Sequence, residues 1–186
     1  MAESARSPSL SSTVTALGIA QIISWGTLFY TIAVLGPALR DAAGVGDVTL
    51  YACYSIGLIV SGLVAPAIGR RIDARGGRFV LSAGSLLGAI ACVALALVQG
   101  PITLLVGWLL AGVAMAATLY DPAFATLHDV AAAKYRRSVT ALTLFGGFAS
   151  TVFWPLSQVL LDAVGVRATF GIYAMLHFAV CVPLHW

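Results

Sequence analysis

Gly69-Arg70-Arg71-Ile72-Asp73-Ala74-Arg75-Gly76-Gly77-Arg78 is the densest charged run in the chain. Apolar segments end near Ile68 on one side and resume at Phe79 on the other. Four arginines and one aspartate in ten residues, between two segments of membrane length, predict a hairpin turn at a water interface. Arginine in a short loop also predicts which interface, because positive loops stay on the cytoplasmic side.

Working outward, the composition fixes the class. The chain has 186 residues, 60% of them hydrophobic and 9% charged, with a mean hydropathy of +0.99. A soluble domain carries about 25% charged residues. Too few polar side chains are present to coat a water-facing surface, so the expected class is an all-α integral membrane protein. Six segments approach the roughly 20 apolar residues that a spanning helix needs: about 14–39, 48–68, 79–98, 102–126, 139–161 and 168–185. Breakers separate them, including Gly44-Val45-Gly46-Asp47 and Gln99-Gly100-Pro101, where Pro101 is placed to start a helix. Residues 1–13 are Ser-rich and read as a disordered tail. The run after Arg6 is too long for the 7–15-residue core of a signal peptide.

Charge sets the topology. Arg6, Arg70, Arg71, Arg75, Arg78, Lys134, Arg136 and Arg137 fall on one side of a six-span layout, and Arg40 and Arg167 on the other. That imbalance puts the tail, the 69–78 loop and the 127–138 loop in the cytoplasm, hence both termini, with the cytoplasmic (plasma) membrane as the location. Basic residues scattered in short loops make no nucleic-acid face. Cys53, Cys92 and Cys181 all lie in apolar segments and read as packing residues. No metal-ligand spacing, G-x-S-x-G, H-E-x-x-H or Walker-type phosphate loop occurs, so neither an enzyme, a metal nor a cofactor is expected.

An internal repeat organises the spans. At an offset of 89 residues, Gly57, Ser61 and Pro66 meet Gly146, Ser150 and Pro155, while Asp73, Ala74, Gly76 and Arg78 meet Asp162, Ala163, Gly165 and Arg167. A repeat of three spans reverses direction across the membrane, giving two inverted three-helix units, about 14–98 and 102–186.

These features resemble the major facilitator superfamily. Gly69, Asp73, Gly76 and Arg78 match the G-x-x-x-D-x-x-G-x-[RK] signature between its second and third helices. The resemblance covers nearly the whole chain but only the N-terminal six-helix half of a typical member. Trp25-Gly26-Thr27-Leu28-Phe29-Tyr30, Tyr120-Asp121-Pro122-Ala123-Phe124 and Tyr135-Arg136-Arg137 are similar to the oxalate/formate and monocarboxylate-porter branch. The family implies alternating-access transport of a small solute, and the branch a small organic anion. It also implies that Gly69, Asp73, Arg75, Gly76 and Arg78 form a conformational latch between two bundles. The arginine that many proton-coupled members carry in the fourth helix is replaced here by Trp108, four residues before Gly112.

Candidate solute-facing residues follow from the spans. Asp121 is the one ionisable acid or base inside a predicted span, and holding it in hydrocarbon costs about 2.5–3.5 kcal/mol. It serves either a solute or proton, or an ion pair with Arg78, Arg136 or Arg137. Its position about 27 Å along the helix favours the pair. Gln21, Ser24, Leu28 and Thr31 share a face of the first helix beside Trp25 and Tyr30, as cavity lining or as interhelical hydrogen bonds. In the resembled fold the first, second, fourth and fifth helices line the cavity, which adds Trp154, at the Trp154-Pro155 kink, and Gln158. His177 reads as a packing residue. Gly84 and Gly88 permit close helix approach, within the bundle or in a dimer. The partners expected are a solute, the bilayer and either a second six-helix bundle or a second copy. A truncated half and a membrane scaffold without transport remain the alternatives.

Overall fold

The computed structural model describes residues 9–131 and 134–186, and among these every regular element is helical. Ser9 caps α1 (Leu10–Ser24), accepting from the Ser12 amide. The expected tail to residue 13 is therefore helical from Leu10; its first eight residues lie outside the described part. A π-helical segment, Trp25–Phe29, follows, and then α2 (Ile32–Ala43), which stops at Gly44 in the left-handed conformation. The turn after it is tied by Arg40, whose guanidinium reaches Asp41 and Asp47, each at 2.8 Å. Asp47 and then Asp41 raise the Arg40 pKa above its ordinary value.

The charged stretch is a helix end, not a loop. α3 runs from Asp47 to Arg75, so Gly69, Asp73 and Arg75 belong to its last turns. Gly76 alone turns the chain, at φ 81° and ψ 154°, and α4 (Gly77–Ala96) starts at the next residue. One expectation changes here: the second span extends past residue 68. Asp73 lies before the turn, where free carbonyls rather than amides point outward. Arg75 instead covers the Phe79 ring at 5.3 Å, and Arg78 donates to the carbonyl of Trp186.

Pro101 starts α5 (Pro101–Thr118), with Thr103 Oγ1 accepting from the Gln99 and Gly100 amides at 2.9 and 3.1 Å. After a break at Leu119 come α6 (Tyr120–Ala131), α7 (Tyr135–Gly147), α8 (Ala149–Leu176), a second π segment (His177–Cys181) and α9 (Val182–His185). The loop expected over 127–138 is thus shorter, because helix continues to Ala131 and resumes at Tyr135. Inside α8 only Gly165 leaves helical geometry, at φ 78° and ψ 169°.

Among the described residues, five helical stretches are long and apolar enough to cross a membrane, the last being Tyr135–His185 with 51 residues. A straight rod of that length would measure about 77 Å, against a hydrocarbon core of about 30 Å. Ile56, Ile59 and Leu63 on α3 and Leu86, Ile90 and Val93 on α4 point outward, as lipid-facing side chains do. The inside is built on small residues, since lipid provides no hydrophobic drive between helices. Gly57 on α3 lies against the backbone of Trp108 on α5, and Gly112 against the backbone of Gly57. Gly84 lies against Ala117 and Thr118, and Gly88 against His177. That glycine pair is therefore used up within the bundle and is not free to make a dimer.

Gly76 and Gly165 occupy backbone conformations essentially restricted to glycine, with open space around the position of a Cβ. Gly76→Ala is expected to cost about 2 kcal/mol, lowering the detergent thermal midpoint by about 6 °C. Gly165→Ala should match it. Equal midpoints for wild type and both variants would show that neither turn is strained.

Candidate functional site

The site begins with a proline in the wrong place for a continuous helix. Pro122 has no amide hydrogen, so the carbonyl of Thr118, four residues earlier, loses its helical partner. Leu119 is extended, at φ −77° and ψ −155°, and α6 restarts at Tyr120. The orphaned carbonyl is satisfied from α1. Gln21, fully buried, donates from Nε2 to the Thr118 carbonyl at 2.6 Å and to that of Leu119 at 3.3 Å. Its Oε1 accepts from Trp25 Nε1 at 3.0 Å. One amide side chain thus closes both the helix break and the indole above it.

The π segment then gathers aromatic rings over the break. Trp25 lies 4.9 Å from Tyr120, 5.0 Å from Phe29 and 5.9 Å from Tyr30, centroid to centroid. Tyr120 stacks on Phe124 at 5.2 Å, and its hydroxyl donates to the Thr143 carbonyl at 3.1 Å. Gly146 leaves room for that hydroxyl. Tyr54 closes the row between Phe29 and Trp108, donating to the Phe29 carbonyl at 3.2 Å.

Asp121 stands in the first turn of α6, exposed, where the helix N-terminus favours a negative charge. It lines a groove of about 230 Å³ with Trp25, Ser61, Gly62, Met115 and Tyr120. Ion pairs among the described residues join Arg40 to Asp41 and Asp47, and none reaches Asp121. The expected pair with Arg78, Arg136 or Arg137 is absent for a reason of distance. Asp121 lies ten residues, about 15 Å, before the end of α6, and Arg78 is turned toward Trp186.

The fold therefore brings Gln21, Trp25, Tyr30 and Asp121 together. It does not bring Trp154 and Gln158 to them. Trp154 is 48% exposed, outside the groove, and Gln158 donates to Asp162 one turn on, at 2.9 Å. Tyr120, Ser61 and Tyr54 join the site without having been singled out. The Tyr120-Asp121-Pro122 breaker sequence was a signal for the first; only packing of α3 against α5 brings in the others. Behind the groove, Thr27 Oγ1 donates to the Ile23 carbonyl at 2.7 Å and lies 2.8 Å from His177 Nε2. With its one proton on Ile23, Thr27 accepts from a His177 Nε2–H, joining the two π segments.

The sequence model of the Major Facilitator Superfamily matches residues 16–186. The chain belongs to the major facilitator superfamily. It is thus a membrane protein of a transporter family. No curated protein and no solved structure matches it. In this superfamily chain the signature residues Gly69 and Asp73 are helical, Gly76 makes the turn, and Arg78 follows in α4. Beside the break at Leu119, whose carbonyls Gln21 satisfies, the Asp121 carboxylate has no ion-pair partner among the described residues.

Proposed function

We propose that the chain is a six-crossing bundle of an alternating-access secondary transporter for a small solute, which enters along the Asp121 groove. The observation that carries the reading is a carboxylate in the first turn of an interrupted membrane helix, exposed to a groove and without a cationic partner among the described residues. An ionisable group kept at such cost, facing a cavity, is suited to a solute or a coupling ion. Interrupted helices at a solute site are a device of such carriers.

Six crossings are supported by Gly165, at which the 51-residue stretch divides into 135–164 and 166–185, each of membrane length. Two inverted repeats, about 14–98 and 102–186, are supported by Gly76 and Gly165. They lie at the 89-residue offset of the sequence repeat and share one unusual backbone conformation. The arginine-rich ends near Arg75 and Arg136 are cytoplasmic on this reading, as are both termini, in the plasma membrane. The 69–78 hairpin acts as the conformational latch, and a second bundle or a second copy forms the opposite wall of the groove.

In proteoliposomes, Asp121→Asn is expected to abolish uptake while the thermal midpoint moves by no more than about 2 °C, since no ion pair is lost. Uptake unchanged by the substitution, or no uptake of any solute by the wild type, would overturn the reading. A strictly monomeric particle in detergent that still transports after reconstitution would remove the second copy.

A further inference from the structure

The polar groups around the groove are one-sided. The side-chain donors that Gln21, Trp25 and Tyr120 bring to the break are already engaged. Gln21 spends its amide hydrogens on the carbonyls of Thr118 and Leu119. Trp25 spends its indole hydrogen on Gln21, and Tyr120 its hydroxyl on Thr143. Pro122 has none to give. The N-terminus of α6 would otherwise attract an anion, but Asp121 places its own carboxylate in that turn. No lysine or arginine lines the groove among the described residues, and the Ser61 hydroxyl serves either charge.

An anion entering the groove would meet a carboxylate and no free cation. A cation would meet that carboxylate beside the rings of Trp25 and Tyr120, which line the groove and whose π systems attract positive charge. We infer that the groove recognises a small monovalent organic cation, an amine or quaternary-ammonium headgroup, held between Asp121, Trp25 and Tyr120. The inference rests on the groove being the solute-facing wall proposed above. It runs against the organic anion implied by the porter-branch resemblance, because the charge that would hold an anion is missing from the groove. The volume of about 230 Å³ lies below that of pockets for drug-sized ligands, so the group is small.

The test is calorimetric titration of the full chain in neutral-lipid nanodiscs with choline, with its uncharged isostere 3,3-dimethyl-1-butanol, and with acetate and oxalate. Choline is expected to bind at least about tenfold more tightly than the isostere. Asp121→Asn should erase that difference and leave the isostere unchanged, while Tyr120→Leu should weaken choline by about threefold to tenfold. Equal affinity for choline and the isostere, binding of acetate or oxalate in competition with choline, or no binding of choline would each overturn the inference. Uptake of another solute with no choline binding would sink the inference and leave the transport reading standing. Absence of all uptake with choline binding intact would do the reverse.

Discussion

Gly112→Val is expected to remove about 3 kcal/mol or more from the stability of the bundle and to lower its thermal midpoint by about 10 °C. A Cβ at Gly112 would lie 2.1 Å from the carbonyl oxygen of Gly57, and one at Gly57 would lie 2.5 Å from that of Trp108. Both obstacles are backbone atoms, which no rotamer change can move. The only relief is to push α3 away from α5 along their whole crossing. That separation loosens Leu50, Cys53 and Trp108, all buried in the main core. Valine is the harsher choice because its branched side chain is also stiff in a helix. Heating in detergent while following thiol labelling of Cys53, which is free and buried, reads the event directly. Gly171→Ala is the control with the opposite sign. Nothing lies within 4 Å of its Cβ position, so helix propensity should hold or slightly raise the midpoint. Similar midpoints for Gly112→Val and wild type would mean that the two helices do not cross at glycine.

Gln21→Leu is expected to cost about 2–3 kcal/mol and to abolish uptake. The volume is nearly kept, so the loss is of hydrogen bonds: the Thr118 and Leu119 carbonyls and the Trp25 indole each lose a partner. Interhelical bonds in membranes average about 0.6 kcal/mol and reach about 1.7 kcal/mol, and Gln21 is fully buried. The damage reaches the groove because Gln21 fixes both Trp25 and the turn that presents Asp121. A double-mutant cycle isolates the cause. Pro122→Ala restores an amide hydrogen to position 122, four residues after Thr118, so the helix can satisfy that carbonyl itself. In that background Gln21→Leu should cost about 1 kcal/mol less. Strict additivity of the two substitutions would show that Gln21 does not answer for the missing proline hydrogen.

The breaks in the chain were legible one by one. Gly44, Gly76, Pro101 and Gly165 each sit where a glycine or proline interrupts apolar sequence, and each ends or starts a helix. Their neighbours were less legible. The charges of Arg70, Arg71 and Asp73 suggested water-exposed loop, yet they ride on the last turns of α3, because a helix end leaving the membrane stays helical until Gly76 permits the turn. Trp25 and Tyr30 stood out as polar-rimmed aromatics. Nothing local announced that a π segment would turn them toward Tyr120.

Sequence by itself determined the membrane class, the family, the approximate spans and the turn positions. The class, spans and turns follow from hydropathy summed over about 20 residues or from backbone limits on single glycines and prolines, and the family from the resemblance of Gly69, Asp73, Gly76 and Arg78 to its signature; all are properties of short segments. Tertiary structure alone decided what the polar groups inside the membrane do. Gln21 answers a carbonyl 97 residues away, and His177 meets a threonine 150 residues away. Asp121, for which the sequence favoured an ion pair, has none among the described residues: it lies ten residues before the end of α6, and Arg78, in α4, is turned toward Trp186. Partnership depends on which helix faces cross and at what depth, and that is set by glycine contacts such as Gly57 with Gly112, which no local pattern records.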